Sequence, residues 1–445
     1  MSPPSRRLSA ADVAVFVLGI VVGVGIFRAP AEVAANTPSD AAFLALWAAG
    51  ALAALAGALT YAELAARHPG IGGEYGFIRL AWGERLGVLF IWARTAVIQT
   101  GSIAAVAFVL ADYAVRLLPV APPALLAGLA VAVFTMLNLL GVDAARRAQW
   151  LLLSLVVAAM GAVMLAGGLA DPAPPAAAPA PGGSSLGLAL VFVMLTYGGW
   201  NEAAYLSGET RGGARGFVVG LVGGVAVIAA LYFGVNLAYL AVLGRDGLAA
   251  STAPAADLAA TAFGPAGQTL VTAAILVAAL STLNVTILTG ARAMCALGQT
   301  VPAFAFLGQW HGARSVPGPA ILVQSAVALL LIAYGAGAPD SFAAMVAFGA
   351  PVFWLFLLLT VLALFRLRAK ASGHTGFRAP LWPATPLLFA AVCGWMLWSS
   401  LGYAQFLAQT ADGARLAGFL GIALLAAGVP LMWLAGRARK PAAAE

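Results

Sequence analysis

The chain of 445 residues is 62% hydrophobic and only 9% charged, with a mean hydropathy of +0.97. Soluble domains are about one-quarter charged, so the composition excludes a soluble globular protein. The net charge of +7 comes from basic residues scattered between apolar runs, which reads as a topology signal and not as a nucleic-acid surface.

A bilayer core about 30 Å thick needs about 20 apolar residues per helix. Apolar runs bounded by Gly, Pro or charge predict helices over 12–35, 40–66, 86–113, 123–141, 147–169, 186–210, 216–243, 266–296, 318–335, 340–366, 384–404 and 413–435. With the N-terminus in the cytoplasm, eighteen Lys and Arg residues fall on the inner side and three (Arg116, Arg245 and Arg415) on the outer side. That bias predicts both termini inside. The expected organisation is a cytoplasmic tail over 1–11, a five-helix block over 12–170, a Pro/Ala-rich outward linker over 171–185, a second five-helix block over 186–366, a loop and two further helices over 367–435, and a cytoplasmic tail over 436–445.

Cys295 and Cys393 fall in apolar runs, and His68, His311 and His374 in polar connections. Neither pattern offers a disulfide framework or a metal centre, so no metal or cofactor is expected.

Two spans carry glycine clusters where helical hydrogen bonding should be continuous: Gly23-Val24-Gly25-Ile26-Phe27 and Tyr197-Gly198-Gly199-Trp200-Asn201. Each lies in the opening span of a five-span block, and an odd number of spans forces the second block to run inverted. Unwound backbone in hydrocarbon is tolerated only where it lines a cavity or meets a ligand. Half-helix N-termini attract a carboxylate, and freed carbonyls accept from an ammonium group, so an α-amino acid satisfies both. Close helix packing through small residues is the competing explanation for these glycines.

Three stretches resemble the amino acid–polyamine–organocation transporters, and within them the L-type amino acid transporter branch. GIVVGVGIFRAP (19–30) is similar to the first-helix GxGIF motif, TYAELAARHPGIGGEYGFIRLAWG (60–83) to the second-helix and first-loop signature, and LTYGGWNEAAYLSGE (195–209) to the sixth-helix YGGWN motif. A weaker fourth stretch, 284–302 with Arg292, looks like the end of the eighth helix. The resemblance implies an all-α integral membrane fold of about twelve helices, a five-plus-five inverted repeat with discontinuous helices 1 and 6, and alternating access. It further implies a substrate carboxylate at the amides around Gly23, Val24, Gly25 and Ile26, and an ammonium group at the carbonyls of Val21, Val22 and Leu195. By the same resemblance Gly198 and Gly199 unwind the sixth helix, Tyr197 packs there, and Trp200 and Asn201 shape the pocket.

The chain departs from that pattern in four places. Val24 replaces a small hydroxyl residue, Leu195 replaces an aromatic gate, and Gln149-Trp150 stand near where many relatives have a lysine. No outward cysteine is available for the disulfide-linked glycoprotein partner of animal L-type members, so none is expected.

Arg28 lies past the first break with Glu32 four residues on, and Glu202 beside the second. Arg28 is expected to pair with Glu32, or with Glu202 across the site, and Glu202 is a candidate protonatable group. Arg94 is expected to reach the headgroups or line the inner vestibule, Glu63 and Glu74 to order the inner loop, and Ser281, Thr282 and Thr286 to bond their own backbone or serve a sodium ion. The expected function is secondary transport of neutral α-amino acids, coupled to protons, sodium or exchange, with no nucleic-acid partner. An amine or polyamine carrier, an ion channel and a membrane enzyme stay as alternatives. The Arg-rich, Lys-poor, Ala-rich composition suggests a bacterial inner membrane.

Overall fold

The computed structural model describes residues 8–23, 25–69, 73–117, 119, 121–140, 143–169, 185–309, 316–370, 376–410 and 416–437. The linker 171–184, Val24, His311 and His374 lie outside the described residues, as do the side chains of Gln149 and Trp150. Among the described residues there is no strand, only a single bridge between Leu8 and Thr210.

The chain opens with α1 (Ala10–Val21), started by a reciprocal Ser9–Asp12 capping box. After a break comes α2 (Gly25–Ala35), inclined at 54° to α1. Then follow α3 (Asp40–Arg67) and the short α4 (Gly73–Trp82). Next, α5 (Glu84–Ala93), a π-helical turn (Arg94–Ile98) and α6 (Gln99–Ala114) form one rod of 31 residues. The first half ends with α7 (Pro123–Leu140) and α8 (Asp143–Leu169).

The second half begins with α9 (Leu186–Thr196) and a 3-10 segment (Trp200–Glu209). It continues through α10 (Gly213–Ala249), α11 (Pro254–Thr300), a second 3-10 segment (Pro302–Gly308), α12 (Gly318–Gly335) and α13 (Ser341–Lys370). The chain closes with α14 (Ala384–Thr410), α15 (Ala417–Ala427) and α16 (Val429–Arg437).

Among the described residues seven helices are long and apolar enough to cross a membrane, or eight if α1 and α2 make one span. Shorter apolar helices over Pro123–Leu139, Ser154–Leu169 and Ala417–Trp433 fall at three more expected spans. The expected span 186–210 is instead divided, because the helix stops at Thr196 and the chain beyond Gly199 winds into the tighter 3-10 form. α10 and α11 run past their expected ends, since turns at Gly244 (φ 64°) and Gly264 (φ 67°) append shorter helical pieces.

α10 packs against α1, α2, α3 and α8, while α11 packs against α6, α7, α8 and α12. Large apolar side chains stay exposed on outer faces, among them Leu129, Leu330, Trp395 and Trp398. In water that surface would aggregate; against lipid it is the expected exterior.

Candidate functional site

The first break is held by side chains from other helices. At the end of α1, Val22 N–H donates to Leu18 O at 2.8 Å and Gly23 N–H to Val21 O at 2.7 Å. The Val21 carbonyl also accepts the Tyr232 hydroxyl, from α10, at 2.7 Å. A carbonyl oxygen has two lone pairs, so Val21, expected to receive an ammonium group, is already satisfied by the protein in this conformation.

Within α2, Pro30 has no N–H to give the carbonyl of Ile26, four residues back. Tyr239 of α10 approaches that carbonyl at 3.4 Å, and Tyr113 of α6 donates to the next one, Phe27 O, at 2.6 Å. α2 starts at Gly25, and the first turn of a helix presents N–H groups with no intrahelical acceptor.

The second interruption lies against the first. α9 ends with Tyr197 N–H donating to Val193 O and Gly198 N–H to Leu195 O, each at 3.0 Å. Gly199 then turns with φ 105°, where a Cβ would lie 2.8 Å from the side chain of Ile20 on α1. Only glycine adopts that conformation at so close an approach without strain. A Cβ on Gly25 would likewise touch Thr196 at 3.4 Å, and one on Gly23 would touch Thr282 at 3.4 Å. Gly23, Gly25, Ile26, Thr196 and Gly199 therefore belong to one locus where the backbone of α1–α2 meets that of α9.

The aromatic residues divide around this locus. Tyr197 packs with Trp47 and Tyr232, with ring centroids at 5.8 and 5.2 Å. Trp200, expected to shape the pocket, lays its ring against Tyr61 and Phe389 on the α3–α14 side, at 5.1 and 5.7 Å. Asn201 accepts the Gly199 N–H at 3.3 Å and donates to Glu74 Oε1 at 3.0 Å.

Charge clusters lie on two sides of the breaks. In the first, buried Arg28 donates to Glu32 at 2.8 Å and to Asp340 at 2.5 Å, with Asp112 at 3.6 Å. In the second, buried Arg94 donates to Glu202 at 2.6 Å and to Glu74 at 3.4 Å, and Tyr61 donates to Glu74 at 2.6 Å. The link expected between Arg28 and Glu202 is not formed here, because Arg94 engages Glu202 instead. A cavity of about 20 Å³ opens on Glu74, Arg94, Asn201 and Glu202, walled by Phe353 and Phe356. Burial pushes the Glu74 carboxyl above the usual carboxylate range; Arg94 pulls it back down, and the Glu202 charge pushes it up.

The hydroxyls of Thr282 and Thr286 donate to the carbonyls of Ala278 and Thr282 on their own helix, at 3.1 and 2.7 Å, and Ser281 is buried beside them. Glu63 is a structural anchor: it accepts from Arg67 at 2.7 Å, from Arg368 at 2.5 Å and from the backbone of Ala379 at 2.8 Å. No group of three or more His, Cys, Asp or Glu residues is arranged to hold a metal among the described residues.

The hydroxyls of Tyr113, Tyr232 and Tyr239 and the carboxylates of Asp112 and Asp340 belong to no motif and no helical spacing that marks them in the sequence. Pro30 inside a helix was the one local signal that a carbonyl needed an outside donor.

Apolar spans packed around two facing helix interruptions, with buried charge on either side, define a helical membrane protein. The chain belongs to the amino acid permease family, whose pattern matches residues 8–434. It is 27% identical to the b(0,+)-type amino acid transporter 1 of Mus musculus over 366 residues, covering 79% of this chain and 74% of that one. It is 25% identical to the serine/threonine exchanger SteT of Bacillus subtilis (strain 168) over 405 residues, 86% of this chain and 89% of that one. The human cystine/glutamate transporter is 24% identical over 399 residues, 86% of this chain and 78% of that one. This is a multi-pass membrane protein of amino acid transport, not an enzyme.

Proposed function

We propose that the chain is an alternating-access carrier of neutral α-amino acids, working as a permease or exchanger around the locus where α1–α2 meets α9. The observation that carries this reading is the facing pair of interruptions, Gly25 against Thr196 and Gly199 against Ile20. The substrate carboxylate meets the N–H groups of the first turn of α2, from Gly25 to Ile26 and with Val24 beside them. The carbonyl of Val22 is the acceptor for its ammonium group; that of Leu195, like that of Val21, already accepts hydrogen bonds of its own chain in this conformation.

Around this site the twelve expected spans form two inverted five-helix repeats, over 12–170 and 186–366, with helices 11 and 12 outside the repeat. Both termini face the cytoplasm of a bacterial cell, and no disulfide-linked heavy chain is needed. The clusters at Arg28 and Arg94 act as outer and inner gates. A neutral substrate is favoured over a polyamine because the interruptions meet through backbone, Ile20, Thr196 and Thr282, with no carboxylate among those contacts.

The test is radiolabelled amino acid uptake into proteoliposomes by Gly25→Trp. The indole would fill the space beside Thr196, so uptake should fall at least about tenfold while the purified protein keeps its monodisperse elution profile. Unchanged uptake would remove the site from this locus.

A further inference from the structure

α15 lies beyond both expected repeats, yet it touches the helices that carry each charge cluster. α13 begins just past Asp340, which engages Arg28 and also caps the helix by accepting the Ala343 N–H at 2.8 Å. Near the other end of α13, Arg368 is fixed on Glu63. Between these two anchors Pro351 has no N–H for the carbonyl of Ala347, so the helix is weakest there.

α15 is seated on that weak point. A Cβ on Gly418 would come within 3.3 Å of the Ala347 oxygen, and a Cβ on Gly421 would collide with the carbonyl oxygen of Phe348. The glycine hydrogens in those directions point at the two carbonyls, a weak hydrogen bond in each case. The Phe348 ring in turn fills the space beside Gly101 of α6, where a Cβ would lie 2.8 Å from it.

The same helix grips the π-helical turn on both sides of Arg94. A Cβ on Gly421 would also meet Val97, three residues after Arg94, at 3.4 Å. Trp92, two residues before Arg94, donates its indole N–H to Leu424 O at 2.7 Å, and its ring occupies the space a Cβ on Gly428 would need. The Leu424 carbonyl takes this outside donor because the Gly428 N–H turns to Leu425 O, at 3.0 Å, where α15 ends. A π-helical turn is a local widening of the helix that recurs at functional sites.

We propose that α15 couples the two clusters: Gly418 and Gly421 follow the bend of α13 at Pro351, and Trp92 and Val97 pass it to Arg94, so that the cluster at Arg94 is held shut while the one at Arg28 is open. The element with two arrangements is the proline bend, and α15 is the rigid part between it and the π-helical turn. Gly418, Gly421, Trp92 and Val97 are positioning residues that act through Arg28 and Arg94.

This inference rests on the reading of the two clusters as gates of a carrier, and the experiment separates the two. In the full chain carrying Cys295→Ala and Cys393→Ala, Leu357→Cys places a thiol on the small cavity of the Arg94 cluster, where the parent side chain is 4% exposed. Its rate of reaction with methanethiosulfonate ethylammonium in proteoliposomes reports how often that cluster opens. Asp340→Asn keeps an oxygen to cap α13 but removes the charge that holds Arg28, and it should slow the reaction about fivefold or more, the lower end of ordinary coupling between sites. Adding Gly421→Ala or Trp92→Phe should cut that slowing to less than about twofold. Gly402→Ala on α14, where a Cβ meets open space, should leave it in full. Trp92→Phe removes the indole donor without crowding α13, so it decides the matter even where Gly421→Ala gives no monodisperse protein. Uptake of radiolabelled L-serine, L-leucine and L-lysine by the two α15 variants should keep its half-saturation concentration within about twofold while the maximal rate falls.

Equal slowing by Asp340→Asn in every background would overturn the coupling and leave the gates standing. No slowing in the parent would overturn it as well; transport in that case leaves a carrier whose clusters are not gates. If the slowing depends on α15 while no amino acid of the panel moves, the coupling stands and the carrier reading fails.

Discussion

At the scale of single residues, the tyrosine hydroxyls do what water does for exposed backbone. Tyr232 and Tyr113 make short bonds, to Val21 O at 2.7 Å and Phe27 O at 2.6 Å, whereas Tyr239 reaches Ile26 O only at 3.4 Å. Removing a hydroxyl from a well-formed buried bond costs about 1 kcal/mol, and a long bond contributes much less. Tyr113→Phe and Tyr232→Phe should each lower stability by about that amount in thermal unfolding of the purified protein, with Tyr239→Phe within about 0.5 kcal/mol of the parent. Glu63 is a stronger case, being fully buried beneath Arg67 and Arg368. Glu63→Gln leaves two guanidinium groups without their carboxylate, and the expected loss is about 3 kcal/mol or more by the same measurement.

At the scale of elements, what could be read in advance depended on sequence separation. The Arg28–Glu32 pair follows from four-residue helical spacing, and both interruptions follow from glycines in apolar runs. Arg94 and Glu202 lie 108 residues apart, and Arg28 and Asp340 lie 312 apart, so no periodicity could have joined them. Trp200 illustrates the same limit. Its motif position was legible, but its direction was set by Gly57 of α3, where a Cβ would lie 2.6 Å from the indole. Gly57→Leu should force the ring out of its slot and cost between about 1 and 3 kcal/mol, read as a lower unfolding temperature. Gly57→Ala should fall between that variant and the parent.

For the whole molecule, hydropathy made the helical membrane class legible, because a bilayer imposes a length rule that a soluble core does not. Span counting was least secure where a helix is short or interrupted, as at α7, α9 and α15, since a windowed average cannot distinguish a broken span from a loop. The orientation is open to a direct check, because Cys295 and Cys393 are buried and should not react with a bulky reagent. A membrane-impermeant maleimide added to intact cells should label Ala177→Cys in the expected outward linker, and should label Ser5→Cys only after permeabilisation. The reverse pattern would invert the topology.

One consequence follows from the tyrosines of α6 and α10. Because protein hydroxyls already satisfy carbonyls at the first break, the unwound geometry is preorganised, and at the proposed site an arriving amino acid would spend none of its binding energy on pulling a helix apart. The backbone contribution to affinity is then nearly the same for every α-amino acid. Discrimination falls to side-chain fit, and substrates should differ mainly in how fast they leave.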